Sequence, residues 1–273
     1  MQPLNCKSFA KLNLCLHILD RRKDGYHNLE SIFCIIDFYD TLSFQKNNSN
    51  KLNFKTNSNE IDSTYNLVTK AYDVISNLYD IKGVDIFLDK KIPIGSGLGG
   101  GSSNAAVTLS ALNNIFELNI SKDNLMKISE DIGADVPFFI NGGSAYIGGK
   151  GEIVKNISID KKYFVLILPN LNISTKDIYE SLSSKDFMTH YSIDELITSN
   201  INSFEKIVMS KYPSLKETKY WLSAFGSVRM SGTGSTLYIE YDNYEGALEA
   251  NKEIGRKYKS LMVSSLESYD IFS

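Results

Sequence analysis

Pro93-Ile94-Gly95-Ser96-Gly97-Leu98-Gly99-Gly100-Gly101-Ser102-Ser103 decides how the rest of this 273-residue chain is read. Five glycines in so short a run suit neither a helix interior nor a well-packed strand. Glycine permits positive φ and lets backbone approach a ligand with no Cβ in the way, so successive amides can line one concavity and hold an anion. The next residues, Asn104 to Phe116, place Ala105, Leu109, Leu112 and Phe116 on one helical stripe. A helix start adds unpaired amides and the positive end of the dipole, which is the setting for a phosphate. Ser102 and Ser103 are available to cap that helix, to touch phosphate or to help ligate Mg²⁺. No Lys-Ser or Lys-Thr pair follows the last glycine, so this is not a Walker A loop; the stretch satisfies GxGxxG, which alone is a weak dinucleotide signal. The bland alternative is a flexible surface loop.

Outward from the loop, strands and helices are mixed. Lys7 to Leu19 alternates as a half-buried strand does, Asp24-Gly25 is a turn, and Ser31 to Phe38 and Thr41 to Phe44 read as two further strands. Gln45 to Asn59, rich in Asn, Lys and Ser, is expected to be an exposed hairpin. Asn66 to Tyr79 has helical spacing, Val84 to Leu88 is a strand, and Ser121 is placed to cap a helix reaching Glu130. Later come strands at Tyr163 to Leu168, Ser227 to Met230 and Leu237 to Tyr241. A helical stripe on Ala247, Ala250, Ile254 and Tyr258 follows, then a last strand at Leu261 to Val263. A second glycine loop, Ser231-Gly232-Thr233-Gly234-Ser235, lies between two of these strands and by itself reads as a hairpin turn. The fold class is α+β.

The net charge of −3 offers no basic surplus for nucleic acid. Cys6, Cys15 and Cys34 lack CxxC spacing and read as buried, reduced thiols; His17, His27 and His190 lack metal-ligand spacing. Neither a signal peptide nor a membrane-length apolar run is visible, which leads us to expect a cytoplasmic protein with no membrane partner.

Three separated stretches, Ser8-Phe9-Ala10-Lys11-Leu12-Asn13-Leu14, Pro93 to Ala106 and Met230 to Ser235, together resemble the motifs of the GHMP kinases, which use ATP to phosphorylate small alcohols. Asp24-Gly25-Tyr26-His27 and Gly133-Ala134-Asp135-Val136-Pro137-Phe138-Phe139 narrow the resemblance to the members that act on a cytidine diphosphate-linked methylerythritol. It implies a ribosomal-protein-like N-terminal domain (residues 1–155), a ferredoxin-like C-terminal domain (residues 156–273) and an active site in the cleft between them. It implies ATP at Pro93, Ile94, Gly95, Ser96, Gly97, Leu98, Gly99, Gly100, Gly101, Ser102 and Ser103, with Asn66 beside the adenine. Ser231, Gly232, Thr233 and Gly234 would form the third glycine loop of the family. It makes Asp135 the acceptor of the hydroxyl proton and Lys11 its partner; without it, Lys11 reads as a strand-edge surface residue. It places Asn13, Tyr26, His27 and Tyr179 on the acceptor, Tyr26 stacking on cytosine, although the surroundings of Tyr179 match loosely. Without the resemblance, Tyr26 is a packed turn aromatic and His27 an exposed histidine. No second carboxylate for Mg²⁺ is evident, so that ion would ride mainly on the ATP phosphates, with no protein metal site. Assembly as monomer or homodimer stays open, and residues 181–219 match nothing. Two alternatives remain: another kinase of the same family, such as a homoserine or mevalonate kinase, and a nucleotide-binding regulator without activity.

Overall fold

The computed structural model describes residues 2–269. Two long strands, β1 (Leu4–Arg21) and β2 (His27–Lys46), pair antiparallel from Leu4 opposite Phe44 to Arg21 opposite His27, with three register shifts on the way. The two apolar runs expected as separate strands, Ser31 to Phe38 and Thr41 to Phe44, are thus one strand. The edge of β2 away from β1 is shared. Leu29 to Phe33 pairs with β5 (Ser144–Gly149), and Thr41 to Lys46 pairs with β4 (Val84–Asp89). β3 (Asn53–Thr56) closes one end of this sheet and β6 (Ile153–Ile157) the other.

The expected hairpin at 45–59 does not form. β3 lies parallel to β4, which stands between it and β2, and α1 (Leu67–Leu78) makes the crossover. Alternation at Leu52 and Phe54 marks a strand but cannot say which neighbour it takes.

α2 (Gly100–Ile115), α3 (Lys122–Ser129) and α4 (Val136–Asn141) follow. Val68, Ala71 and Ile75 of α1 share a core with Leu109 and Leu112 of α2 and with Phe138 and Phe139 of α4. α2 begins inside the glycine run, four residues ahead of the expected Asn104. Packing overrides the poor propensity of glycine there: a Cβ on Gly100 would stand 2.9 Å from Ile92.

The second sheet runs β10 (Ser260–Ser264), β7 (Tyr163–Ile167), β9 (Leu237–Tyr241), β8 (Val228–Met230), all antiparallel. Numbered within this half the order is 4-1-3-2. With α9 (Tyr244–Ile254) joining the last two strands, that is the ferredoxin-like arrangement. Between β7 and β8 lie α5 (Thr175–Glu180), α6 (Ile193–Thr198), α7 (Glu205–Lys211) and α8 (Pro213–Leu222), four short helices that no sequence expectation covered.

The other face of β1 and β2 carries Ala10, Leu12, Ile32, Cys34 and Ile36, which pack with Phe164, Leu166 and Tyr238 of the second sheet. Residues 199–203 run along β1, the Leu16 amide donating to Ile201 and the Ser203 amide to the Leu16 carbonyl. No helix among the described residues is long and apolar enough to cross a membrane.

Candidate active site

β1 supplies the floor of the site. Lys11 and Asn13 are both buried, and Lys11 Nζ donates to Asn13 Oδ1, as residues two apart on a strand face can. Asp135 opens α4, with Pro137 in the first turn and Phe138 and Phe139 anchored in the core below it. Its Oδ2 lies 3.7 Å from Lys11 Nζ. Lys11 also sits 4.5 Å above the ring of Phe33. Burial pushes the Lys11 ammonium below the usual lysine range, and the Asp135 carboxylate pulls it part of the way back. The surface-edge reading of Lys11 is therefore excluded.

The glycine loop is tied to this floor. The Lys11 amide donates to the Leu98 carbonyl over 3.0 Å. Ser231 links three elements: its Oγ donates to the Gly97 carbonyl at 2.9 Å and accepts the Asn13 amide at 3.2 Å. The second glycine loop thus docks on the first and is more than a hairpin turn. Gly97, at φ +78°, is irreplaceable there, because a Cβ would overlap the Ser231 carbonyl oxygen. The N-cap of α2 is Gly99, which supplies no side-chain cap, so the first amides of the helix remain available to an anion. Ser103 does not take part: its amide bonds Gly99 and its hydroxyl accepts from Ser8 within the core.

These residues enclose a cavity of about 660 Å³. It is lined by Lys11, Asn13, Asn66, Pro93 to Gly97, Gly99 to Ser102, Asp135, Tyr179, Gly232 and Thr233. Leu98 and Ser103 are not among its lining residues; Leu98 is fully buried and carries the loop in the core. Asn66 caps α1, its Oδ1 accepting the amides of Val68 and Thr69. Lys90 and Thr175 also line the cavity and were not singled out from sequence. Lys90 stands three residues before the loop opens at Pro93, the one signal that could have flagged it. Thr175 meets Thr233 hydroxyl to hydroxyl at 3.0 Å.

A second cavity, about 600 Å³, is lined by Tyr26, His27, Lys150, Tyr179 and again Ser102, Thr175 and Asp135. The two therefore meet at Asp135. Tyr26 is 60% exposed and carries the Lys150 ammonium 5.4 Å from its ring centre, which leaves ring surface open for stacking beside that lysine. His27 is buried rather than exposed, 5.5 Å from the ring of Tyr179, and burial holds its imidazole below the usual range. Tyr179, the loosely matched aromatic, is thus brought beside Tyr26 and His27. Chemically the arrangement offers an anion-binding helix start, a carboxylate and ammonium at the junction, and an aromatic pocket on the far side.

Residues 66–143 match the GHMP kinases N terminal domain and residues 178–260 the GHMP kinases C terminal domain. The chain belongs to the GHMP kinases. The 4-diphosphocytidyl-2-C-methyl-D-erythritol kinase of Francisella philomiragia is 37% identical over 268 residues, covering 96% of each chain. That of Hahella chejuensis is 31% identical over 285 residues, covering 100% of this chain and 96% of its own. At that identity and coverage the chain is placed in the family of these enzymes. A crystal structure of 4-(cytidine 5'-diphospho)-2C-methyl-D-erythritol kinase superposes with a TM-score of 0.83 at 29% identity, covering 96% of this chain and 98% of the other. A mevalonate kinase shares the fold, with a TM-score of 0.68 at 15% identity over 97% of this chain and all of the other.

Proposed function

We propose that this chain transfers the γ-phosphoryl group of ATP to the 2-hydroxyl of 4-diphosphocytidyl-2-C-methyl-D-erythritol. The observation that carries this reading is the Lys11–Asp135 pair at the junction of two cavities, one walled by an uncapped helix start and the other by exposed Tyr26. ATP takes the larger cavity, its adenine end beside Asn66 and its phosphates on the amides of Gly95 to Ser102. The cytidine head takes the smaller one, between Tyr26 and Tyr179 with His27 on its edge. That leaves the methylerythritol hydroxyl at Asp135.

Phosphoryl transfer asks the protein for in-line positioning and charge stabilisation more than for covalent chemistry. Asp135 accepts the hydroxyl proton as the O–P bond forms. Lys11 pairs with the Asp135 carboxylate and donates to the oxygen that carries developing charge. Asn13, fixed by Lys11 and by Ser31 at 3.1 Å, orients the acceptor's other hydroxyls. Gly232 and Thr233, carried on the loop that Ser231 clamps, close the cavity over the transferring group.

Among the described residues no group of three or more His, Cys, Asp or Glu side chains gathers that could hold a metal ion. The donor set suits an ion delivered on the ATP phosphates, with the Ser102 hydroxyl on the wall to complete its shell. Such an ion supplies charge neutralisation on the phosphates. We divide the chain into residues 1–155 and 156–273, a cut that falls near the end of β6, the last strand of the first sheet, and ahead of β7, which opens the second. We place the protein in the cytoplasm, where buried thiols stay reduced.

The test is ADP release with the cytidine-linked acceptor beside the free polyol, homoserine and mevalonate. We expect turnover with the first and little with the rest. Preference for an acceptor without the cytidine head would reject the assignment, and ATP binding without turnover on any acceptor would favour a regulator.

A further inference from the structure

Asp40, on β2, is fully buried. A carboxylate so placed is costly unless its lone pairs are met. Here each is. Oδ1 accepts the amides of Lys91 at 2.7 Å and Ile92 at 2.8 Å, while Oδ2 accepts the Lys90 ammonium and Asn104 Nδ2, the latter at 2.9 Å. The donors belong to two elements that bound the ATP cavity. Residues 90–92 form the stem that leads into Pro93, and Asn104 is in the first turns of α2, where its Nδ2 also holds Ser8.

Asn104 lines the cavity, and so does Lys90. Its side chain is 7% exposed, and its Nζ lies 2.8 Å from the position a Cβ of Gly100 would take. One ammonium is thus held against the first residue of α2, at the same uncapped start whose amides face the cavity. Of its three N–H groups, the contact with Asp40 uses one. Burial lowers the basicity of Lys90 and Asp40 opposes that effect.

We propose that Asp40 is a positioning residue for nucleotide binding: it fixes the Lys90 ammonium at the N-terminus of α2, where it pairs with the polyphosphate of ATP, and it holds the stem of the glycine loop in register with that helix. Asp40 itself touches no substrate. Without it, Lys90 becomes an uncompensated buried cation that sheds its proton or leaves the cavity wall. The inference rests on the kinase reading above.

The experiment is a calorimetric titration of the non-hydrolysable analogue AMP-PNP with Mg²⁺, without acceptor, into the parent, Asp40→Asn, Lys90→Gln and the double variant. Asparagine keeps an oxygen for the two amides and removes the charge. Lys90→Gln should weaken binding by about tenfold or more, the range expected for a charge-assisted contact. Asp40→Asn should weaken it comparably, the double variant should be no worse than Lys90→Gln, and the acceptor's affinity should not change in any of them. Parental affinity in Lys90→Gln overturns the proposal even where Asp40→Asn fails to fold. So does an Asp40→Asn penalty that is as large in the Lys90→Gln background as in the parent, since Asp40 would then act on the fold and not through Lys90. A parent that binds no AMP-PNP sinks the kinase reading and this one with it, whereas a binding parent with unaffected variants sinks this one alone.

Discussion

Replacing Gly97 by Ala tests whether the seam between the two glycine loops sets the geometry of transfer. Gly97 has φ +78°, where an L-residue loses about 1–2 kcal/mol. The new Cβ would overlap the Ser231 carbonyl oxygen and stand 3.0 Å from that of Gly234, so the loops must part by roughly 1 Å to reach ordinary contact. That parting stretches two bonds across the seam: Ser231 Oγ to the Gly97 carbonyl at 2.9 Å, and the Thr236 amide to the Ser96 carbonyl at 3.1 Å. At about 1 kcal/mol each, the total destabilisation is about 3–4 kcal/mol. A shift of that size under the phosphates should lower kcat by about a hundredfold. ADP release and a thermal melt measure the two effects. Gly25→Ala is the control, because Gly25 has φ +88° but nothing within 4 Å of its Cβ position, so the melt should register backbone strain alone. A Gly97→Ala protein with parental kcat, or one no less stable than Gly25→Ala, would refute the argument.

Asp135→Asn should reduce kcat by about 10²–10⁴-fold with AMP-PNP affinity retained; near-parental turnover removes Asp135 as the base. Tyr26→Ala should raise KM for the cytidine-linked acceptor and leave KM for ATP in place, and a change confined to ATP would count against stacking. Burial depresses the imidazoles of His17 and His27 below 6.5, so the unfolded chain binds more protons than the folded one as pH drops past that value. Stability should therefore be lost on going from pH 7 to pH 5, and urea midpoints for His17→Gln should fall less over that window than those of the parent. An equal fall would dismiss His17 as a contributor.

What the sequence could say depended on how local each signal was. The glycine run and the stripe after it describe a loop and helix within one stretch of chain, so that loop–helix unit was legible; only the helix start was misplaced, because Gly100 is helical through contact with Ile92. β3 shows the opposite limit. Its alternation was visible, but its neighbour β4 lies beyond a whole helix and nothing near 53–56 encodes that pairing. Phe204, Val208, Leu215 and Leu222 form a buried row, yet Pro213 splits it between α7 and α8 and hides the period. At the site, Lys11, Asp135 and Tyr179 were reached through family motifs, since a lysine in an alternating strand has no distinctive local chemistry. Asp40 was missed because its significance lies in donors from Lys90 to Ile92 and from Asn104, distant in sequence. Ser103 was over-read: proximity to the glycines suggested phosphate, but its hydroxyl turns to Ser8.

The divided edge of β2 has a consequence for how the halves can move. Between the segment paired with β5 and the segment paired with β4, the strand is met by the end of β10: Ile36 bridges Ser265, the Leu266 amide donates to Ile35, and Ser264 bonds Asp37. The final strand is therefore stitched into the gap at the back of the molecule. Any opening is left to the cavity side, where Thr175, Tyr179 and Leu182 line the aromatic pocket, like a book whose spine has been sewn.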